Sequence, residues 1–199
     1  MIRPNAYVGS AIERIEDERL LSGKGMFVGD LNPAELLHVA ILRSPISHGL
    51  IRSIDVSAAR ALTGVSAVIT AAEIGTVPII PIRQHPVPEG EAFRQPVIAS
   101  GKVRYVGEPV VVVVAVDPAI AEDALELIVL DIEELPPVVD YVTASRGESL
   151  LFEEVGSNKA ATFNARMGDA TAAFAQAHYT RKERFSVQRH TAFPMETRG

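Results

Sequence analysis

The sequence predicts an α+β fold of short strands and helices in mixed order, and three observations carry that expectation. Apolar stretches of strand length recur along the chain, the clearest being the valine-rich run at 110–116. Helix-start chemistry stands between such stretches, at Thr70-Ala-Ala-Glu73 and at Asp117-Pro118. The elements do not repeat as regular βαβ units, which argues against a doubly wound parallel sheet.

Residues 1–35 are turn-rich and polar, with a charged run from Glu13 to Arg19. Leu37-His-Val-Ala-Ile-Leu42 alternates and reads as a half-buried strand. Ser44-Pro45 marks a turn, and 50–54 reads as a second short strand. Asp55 can cap a helix over 56–62, with Gly64 as its stop. Residues 65–69 are apolar and β-branched, hence a strand. In Thr70-Ala-Ala-Glu73 the threonine and glutamate can satisfy each other's backbone donors, so a one-turn helix follows. Residues 76–101 hold five prolines and little periodicity, and read as a long loop.

The run at 110–116 lacks alternation and so reads as a strand buried on both faces. Asp117 then supplies a cap and Pro118 the first helical position. That helix runs to about Leu127, with Ile120, Ala124 and Leu127 on one side. Ile128, Leu130 and Ile132 alternate with Val129, Asp131 and Glu133 as a half-buried strand, which Leu135-Pro-Pro ends. After about Ala144 the chain turns polar through Asn164; Asp169 caps a helix over 170–177, and 179–187 reads as extended. The chain stops at Met195-Glu-Thr-Arg-Gly199 without a terminal element, as expected of a cut inside a domain.

Composition removes several function classes. The net charge of −6 and the absence of a long basic cluster leave nothing to displace phosphate counterions, so neither nucleic acid nor an anionic membrane surface is an expected partner. With no cysteine there is no disulfide framework, thiolate metal site or cysteine nucleophile. The start of the chain lacks a signal-peptide pattern and no apolar run approaches a membrane span, so the expectation is a soluble, cytoplasmic protein.

Tempting chemistry resolves into ordinary structure. Gly23-Lys24 fails as a phosphate loop, because Glu18 stands where the first glycine belongs and Gly25 where Ser or Thr is needed; it reads as a β-turn. His38, His48, His85, His178 and His190 include no helical i, i+4 pair around a glutamate, and each reads as a strand-face or surface histidine. Glu16-Asp17-Glu18 reads as a solvated run. Glu108, between Gly107 and Pro109 at the mouth of the valine strand, can accept loop N–H groups or face a pocket. No Gly-x-Ser-x-Gly elbow supports a hydrolase.

Several strings nevertheless stand in a telling order. They are Arg14-Ile-Glu-Asp17, Leu21-Ser-Gly-Lys-Gly25, Phe27-Val-Gly-Asp30, Leu37-His38, Arg43-Ser-Pro45 with His48, and Ile54-Asp55. Gly64-Val65, Ala67-Val68, Val103-Arg-Tyr-Val-Gly-Glu-Pro109, Ala121-Glu-Asp-Ala124 and Leu135-Pro-Pro-Val-Val-Asp140 follow. Together they resemble the N-terminal α/β hammerhead domain of molybdenum hydroxylase large subunits, the xanthine dehydrogenase, aldehyde oxidase and carbon monoxide dehydrogenase family. The resemblance resumes at Gly168-Asp169 and Phe174. It ends in Pro194-Met-Glu-Thr-Arg-Gly199, similar to the family's Pro-Met-Glu-Pro-Arg-Gly.

The resemblance implies a hammerhead domain over 1–144 and, over 145–199, a linker with the incomplete start of the molybdenum-binding domain. It implies a large subunit that binds molybdenum through a pterin dithiolene and hydroxylates a small carbon substrate with water-derived oxygen. Its implied partners are the rest of that subunit and the chains or domains carrying iron–sulfur clusters and FAD. The family's base glutamate and cofactor loops lie downstream, so no catalytic, cofactor-binding or metal residue is expected here. The alternative is a stand-alone short subunit or assembly module of a split large chain. The final segment, with too little to bury its apolar side chains against, is expected to self-associate.

Overall fold

The computed structural model describes residues 7–81, 88–188 and 190–193. Contacts divide the chain into two units, one of Glu35–His178 and one drawn from the chain on either side of it.

In the flanking unit a short helix, α1 (Asp17–Leu21), forms within the charged run, where sequence suggested only turns. Ion pairs one turn apart support it: Arg14 Nε to Asp17 at 2.8 Å and Arg19 to Glu16 at 2.7 Å. Gly23, at φ +71°, takes the left-handed conformation just past its end. A 3₁₀ turn, Val28–Asp30, is closed by the Asp30 carboxylate, which accepts the Phe27 N–H at 2.9 Å. Among the described residues of this unit none is buried, and 179–187, expected to be extended, pairs with no strand.

The larger unit follows the predicted order closely. It comprises β1 (His38–Arg43), β2 (Gly49–Asp55), α2 (Ser57–Ala61), β3 (Val65–Ile69), α3 (Ala71–Ile74), β4 (Lys102–Val103), β5 (Pro109–Ala115), α4 (Pro118–Glu126), β6 (Val129–Glu134), α5 (Tyr141–Ala144) and α6 (Ala170–Gln176). The strands make two three-stranded antiparallel sheets, β1-β5-β3 and β4-β2-β6, so the α+β reading holds. The proline-rich loop also carries order of its own, a 3₁₀ segment Pro88–Phe93 and a bridge between Ile79 and Pro96.

Local chemistry explains the boundaries. Thr70 and Glu73 form the expected capping box: the Thr70 N–H donates to Glu73 at 2.8 Å, and the Thr70 hydroxyl accepts the Ala72 N–H at 3.2 Å. Hydrogen bonds from Thr70, with that from Arg60, hold the Glu73 carboxyl down to about 2. Asp117 Oδ1 accepts the Ala119 N–H at 2.8 Å, with Pro118 in the first turn of α4. Asp169 caps α6 through the Ala172 N–H at 3.0 Å. Gly49 tolerates no side chain, since a Cβ there would lie 2.6 Å from Ile132 and 2.7 Å from the Glu133 carbonyl.

The core lies between the inner faces of the sheets and the helices α2 and α4. Val111, Val113 and Ala115 of β5 are fully buried; Val113 stands between Ala40 of β1 and Val68 of β3. Two expectations need correction. The valine run is not covered on both faces: Val112 and Val114 are only half-buried, and Val116 lies past the strand and is exposed. The inner stripe of α4 is Ala121 and Ala124 with half-buried Ile120 and Leu125 beside them, so of the expected Ile120, Ala124 and Leu127 only Leu127 fails. Leu127 caps the helix and is exposed; the small alanines let α4 approach the sheet closely, which a count of large apolar residues overlooks.

Replacing Val113 by Asp would place an unpaired carboxylate among Ala40, Val68 and the α4 alanines. The expected cost is on the order of 5 kcal/mol, comparable with the whole stability of about 5–15 kcal/mol of a small domain. Thermal melts of Val113→Asp should show a protein without a cooperative transition; an unchanged melt would contradict the core assignment.

Candidate functional site

A dense polar arrangement in the larger unit surrounds the turn that leads from β4 into β5. Gly107, at φ +88°, turns the chain so that Glu108 points inward beside Pro109. Two sequence strings then lock together. The Gly107 N–H donates to the Ser44 carbonyl and the Ser44 N–H to the Glu108 carbonyl, both at 2.8 Å. Arg43 closes the clasp by donating to the Gly107 carbonyl at 2.9 Å. Ser44 Oγ in turn donates to the Ile46 carbonyl at 2.7 Å.

Glu108 is fully buried. Its Oε2 accepts the Arg104 N–H at 2.5 Å, while Oε1 has no partner. Burial pushes its carboxyl above the ordinary carboxylate range; the Arg104 N–H, the Arg104 charge and the Tyr105 N–H oppose the shift without cancelling it. The Tyr105 phenol is raised too, first by burial and then by the Glu108 charge, against Arg43.

A second set faces residues 136–158. His48 is buried, and its Nδ1 lies 2.8 Å from the Pro136 carbonyl, so that nitrogen carries the donated proton and Nε2 is left without a partner. Lys102, also buried, pairs with Glu153, whose carboxyl is lowered chiefly by that hydrogen bond. Arg104 Nε donates to the Leu151 carbonyl at 3.0 Å, and its guanidinium stands 4.5 Å from the centre of the Phe152 ring. Phe152 meets Phe93 edge-on at 5.4 Å. Asn158 ties the segment internally, donating to the Ser149 and Ala144 carbonyls at 2.7 and 3.1 Å and accepting the Leu151 N–H at 3.1 Å.

The arrangement is therefore a clasp and a strap. Glu108 takes the first role that sequence suggested for it, accepting a loop N–H. The roles of buried His48 and Lys102 and of half-buried Arg104 carry no local sequence signal, beyond the membership of His48 and Arg104 in the ordered strings. His38 is half-buried on β1; His178 and His190 are exposed, as are Glu16, Glu18, Gly23 and Lys24, while Asp17 is partly covered. His85 and the segment Pro194–Gly199 lie outside the described residues. Among the described residues no group of three or more His, Asp or Glu side chains could hold a metal ion, and no helix is long and apolar enough to cross a membrane.

The family profile for the aldehyde oxidase and xanthine dehydrogenase a/b hammerhead domain matches residues 22–136. The 6-hydroxypseudooxynicotine dehydrogenase complex subunit gamma of Paenarthrobacter nicotinovorans is 41% identical over 198 residues, covering 98% of this chain and 25% of that protein. The carbon monoxide dehydrogenase large chain of Afipia carboxidovorans is 35% identical over 204 residues, covering 96% and 25%. The crystal structure of a Cu,Mo carbon monoxide dehydrogenase superposes with a TM-score of 0.71 at 34% identity, over 86% of this chain and 23% of that one. The chain thus spans about a quarter of the length of the curated relatives it matches.

A raised Glu108 pKa in the folded state means that the protonated carboxyl is the form the fold prefers. Stability is then full below the unfolded value of about 4.3 and falls as pH rises through the folded value. Glu108→Gln keeps shape and acceptor but cannot ionise. Its melting temperature should exceed that of the parent at neutral pH and converge with it below about pH 4; parallel profiles at all pH values would contradict the burial argument.

Proposed function

The chain belongs to the aldehyde oxidase and xanthine dehydrogenase family, and from that premise we propose that it is the N-terminal part of a molybdopterin-binding large subunit in a molybdenum-dependent oxidoreductase. The carrying observation is the match over 22–136, most of the hammerhead domain. On this reading 1–144 is that domain, and 145–199 is the linker with the first elements of the molybdopterin-binding domain. The enzyme is a cytoplasmic assembly in which separate chains or domains supply iron–sulfur clusters and FAD.

When bound, the molybdenum–pterin group supplies the oxidation of a carbon centre with oxygen from water. The residues in hand do not fit it. Glu108 Oε1 and His48 Nε2 are the buried polar atoms left without partners among the described residues, and each belongs to a side chain already committed to the backbone. One carboxyl and one imidazole, so committed, do not form a ligand set, and no chemical step is derived through them. The segment's own contribution is mechanical. The clasp of Arg43, Ser44 and Glu108 sets the β4–β5 turn, and the strap at 136–158 fixes the chain on its way to the next domain. Relatives of similar identity are named for 6-hydroxypseudooxynicotine and for carbon monoxide. A segment shared so evenly between such different molecules is not where substrate is chosen.

Two measurements follow. Elemental analysis and dye-reduction assays on the purified 199-residue chain should find no stoichiometric molybdenum and no dehydrogenase activity; metal at one equivalent would overturn the scaffold reading. The tail should drive self-association, since Phe174, Phe185, Val187 and Phe193 are all strongly exposed. Light scattering should therefore show larger species for the whole chain than for a version ending at Ser145, and equal association by both would contradict this account of the tail.

A further inference from the structure

An antiparallel sheet with one wet face alternates apolar and polar residues along its strands. The sheet β4-β2-β6 largely follows this rule: inward Ile51, Ile54, Leu130 and Ile132 join the core, while its outer face carries Ser53, Asp55, Asp131 and Glu133 beside Leu50 and Val129. The sheet β1-β5-β3 breaks it. Its inner face is the core described above. Its outer face, read from the register, pairs Val39 with Val114 and Ala67, and Ile41 with Val112 and Ile69. All six residues are aliphatic; five are half-buried and Val39 is 59% exposed. No polar side chain stands at any of these six register positions, so their composition is that of a buried layer.

We propose that this face is a docking surface for an aliphatic layer of a further domain on the same polypeptide. The inference rests on the reading that the chain is the front of a longer subunit. Area selects the occupant. Three strands about 4.8 Å apart and some four residues long at about 3.3 Å each present roughly 200 Å². A stable pairing of separate molecules needs about 800 Å² from each partner, so a second copy gains too little here. A domain joined through the chain meets the face at an effective concentration in the millimolar range, where a small apolar patch suffices. The polypeptide for it is at hand in the relatives, three quarters of whose length lies outside the matched segment.

The chain has no cysteine, so a single introduced thiol reports one position. Val39→Cys probes the face, and Val129→Cys, 63% exposed on the outer side of the other sheet, is the control. Maleimide labelling, read by peptide mass, is compared between the 199-residue chain and the polypeptide made from the complete reading frame. In the short chain both positions should label at similar rates. In the long one, position 39 should label roughly 100-fold more slowly and position 129 at its former rate. Equal labelling of position 39 in both would overturn the docking face while leaving the family reading intact. Protection of position 39 in the short chain that grows with protein concentration would make the occupant a second copy and overturn the proposal. A reading frame that stops at Gly199 would remove the occupant and end both readings.

Discussion

The larger unit depends on β5 being paired on both edges. An antiparallel strand with no polar residue from Pro109 to Ala115 is stable only when its backbone groups are consumed by neighbours and its inner side chains by a core. β1 and β3 supply the pairing, and α4 supplies part of the core through Ala121 and Ala124. The two bulges in this sheet are consequences. The extra Val110 on β5 and the extra Ser66 on β3 let strands of unequal count share one central partner.

That demand extends to the polar residues at the entrance of the strand. Glu108 is drawn inside by the turn at Gly107, and it immediately precedes Pro109, which leaves no N–H at the strand's first position. The carboxyl then needs donors, and the nearest is the Arg104 N–H of its own turn. Ser44 and Arg43, at the far end of the antiparallel partner β1, face the turn across the ladder and complete the clasp. One side-chain oxygen remains unpaired, which is why burial raises the carboxyl's pKa.

The strap extends the same logic to the chain beyond β6. β4 is only two residues long, yet its Lys102 and the adjoining Arg104 bind Glu153, Leu151 and Phe152 on the following segment. An exposed ion pair alone would contribute little. Here one partner is buried and the contact is joined by a cation–ring contact and the His48–Pro136 bond. On the proposed reading these contacts hold the direction of the chain, which suits a segment carried by relatives of such different names.

Much of this was legible in the residues themselves. The capping box at Thr70, the Asp117-Pro118 start, the stop at Leu135-Pro-Pro and the order of every strand in the larger unit except the two-residue β4 follow from short-range rules: caps, turns and period-two patterns act within a few residues. The family, too, was legible, because its strings lie in a fixed order. The tertiary structure decided what depends on distant partners. Strand pairing placed Arg43 on Gly107 and Ser44 on Gly107 and Glu108, across more than sixty residues of chain; burial of His48 and Lys102 required the strap to arrive. The coverage of the two faces of β5 was likewise undecidable from a run of valines, since a residue that fits a core fits an uncovered docking face equally well. Local sequence determines what an element is, and only the approach of other elements determines which of its surfaces is satisfied.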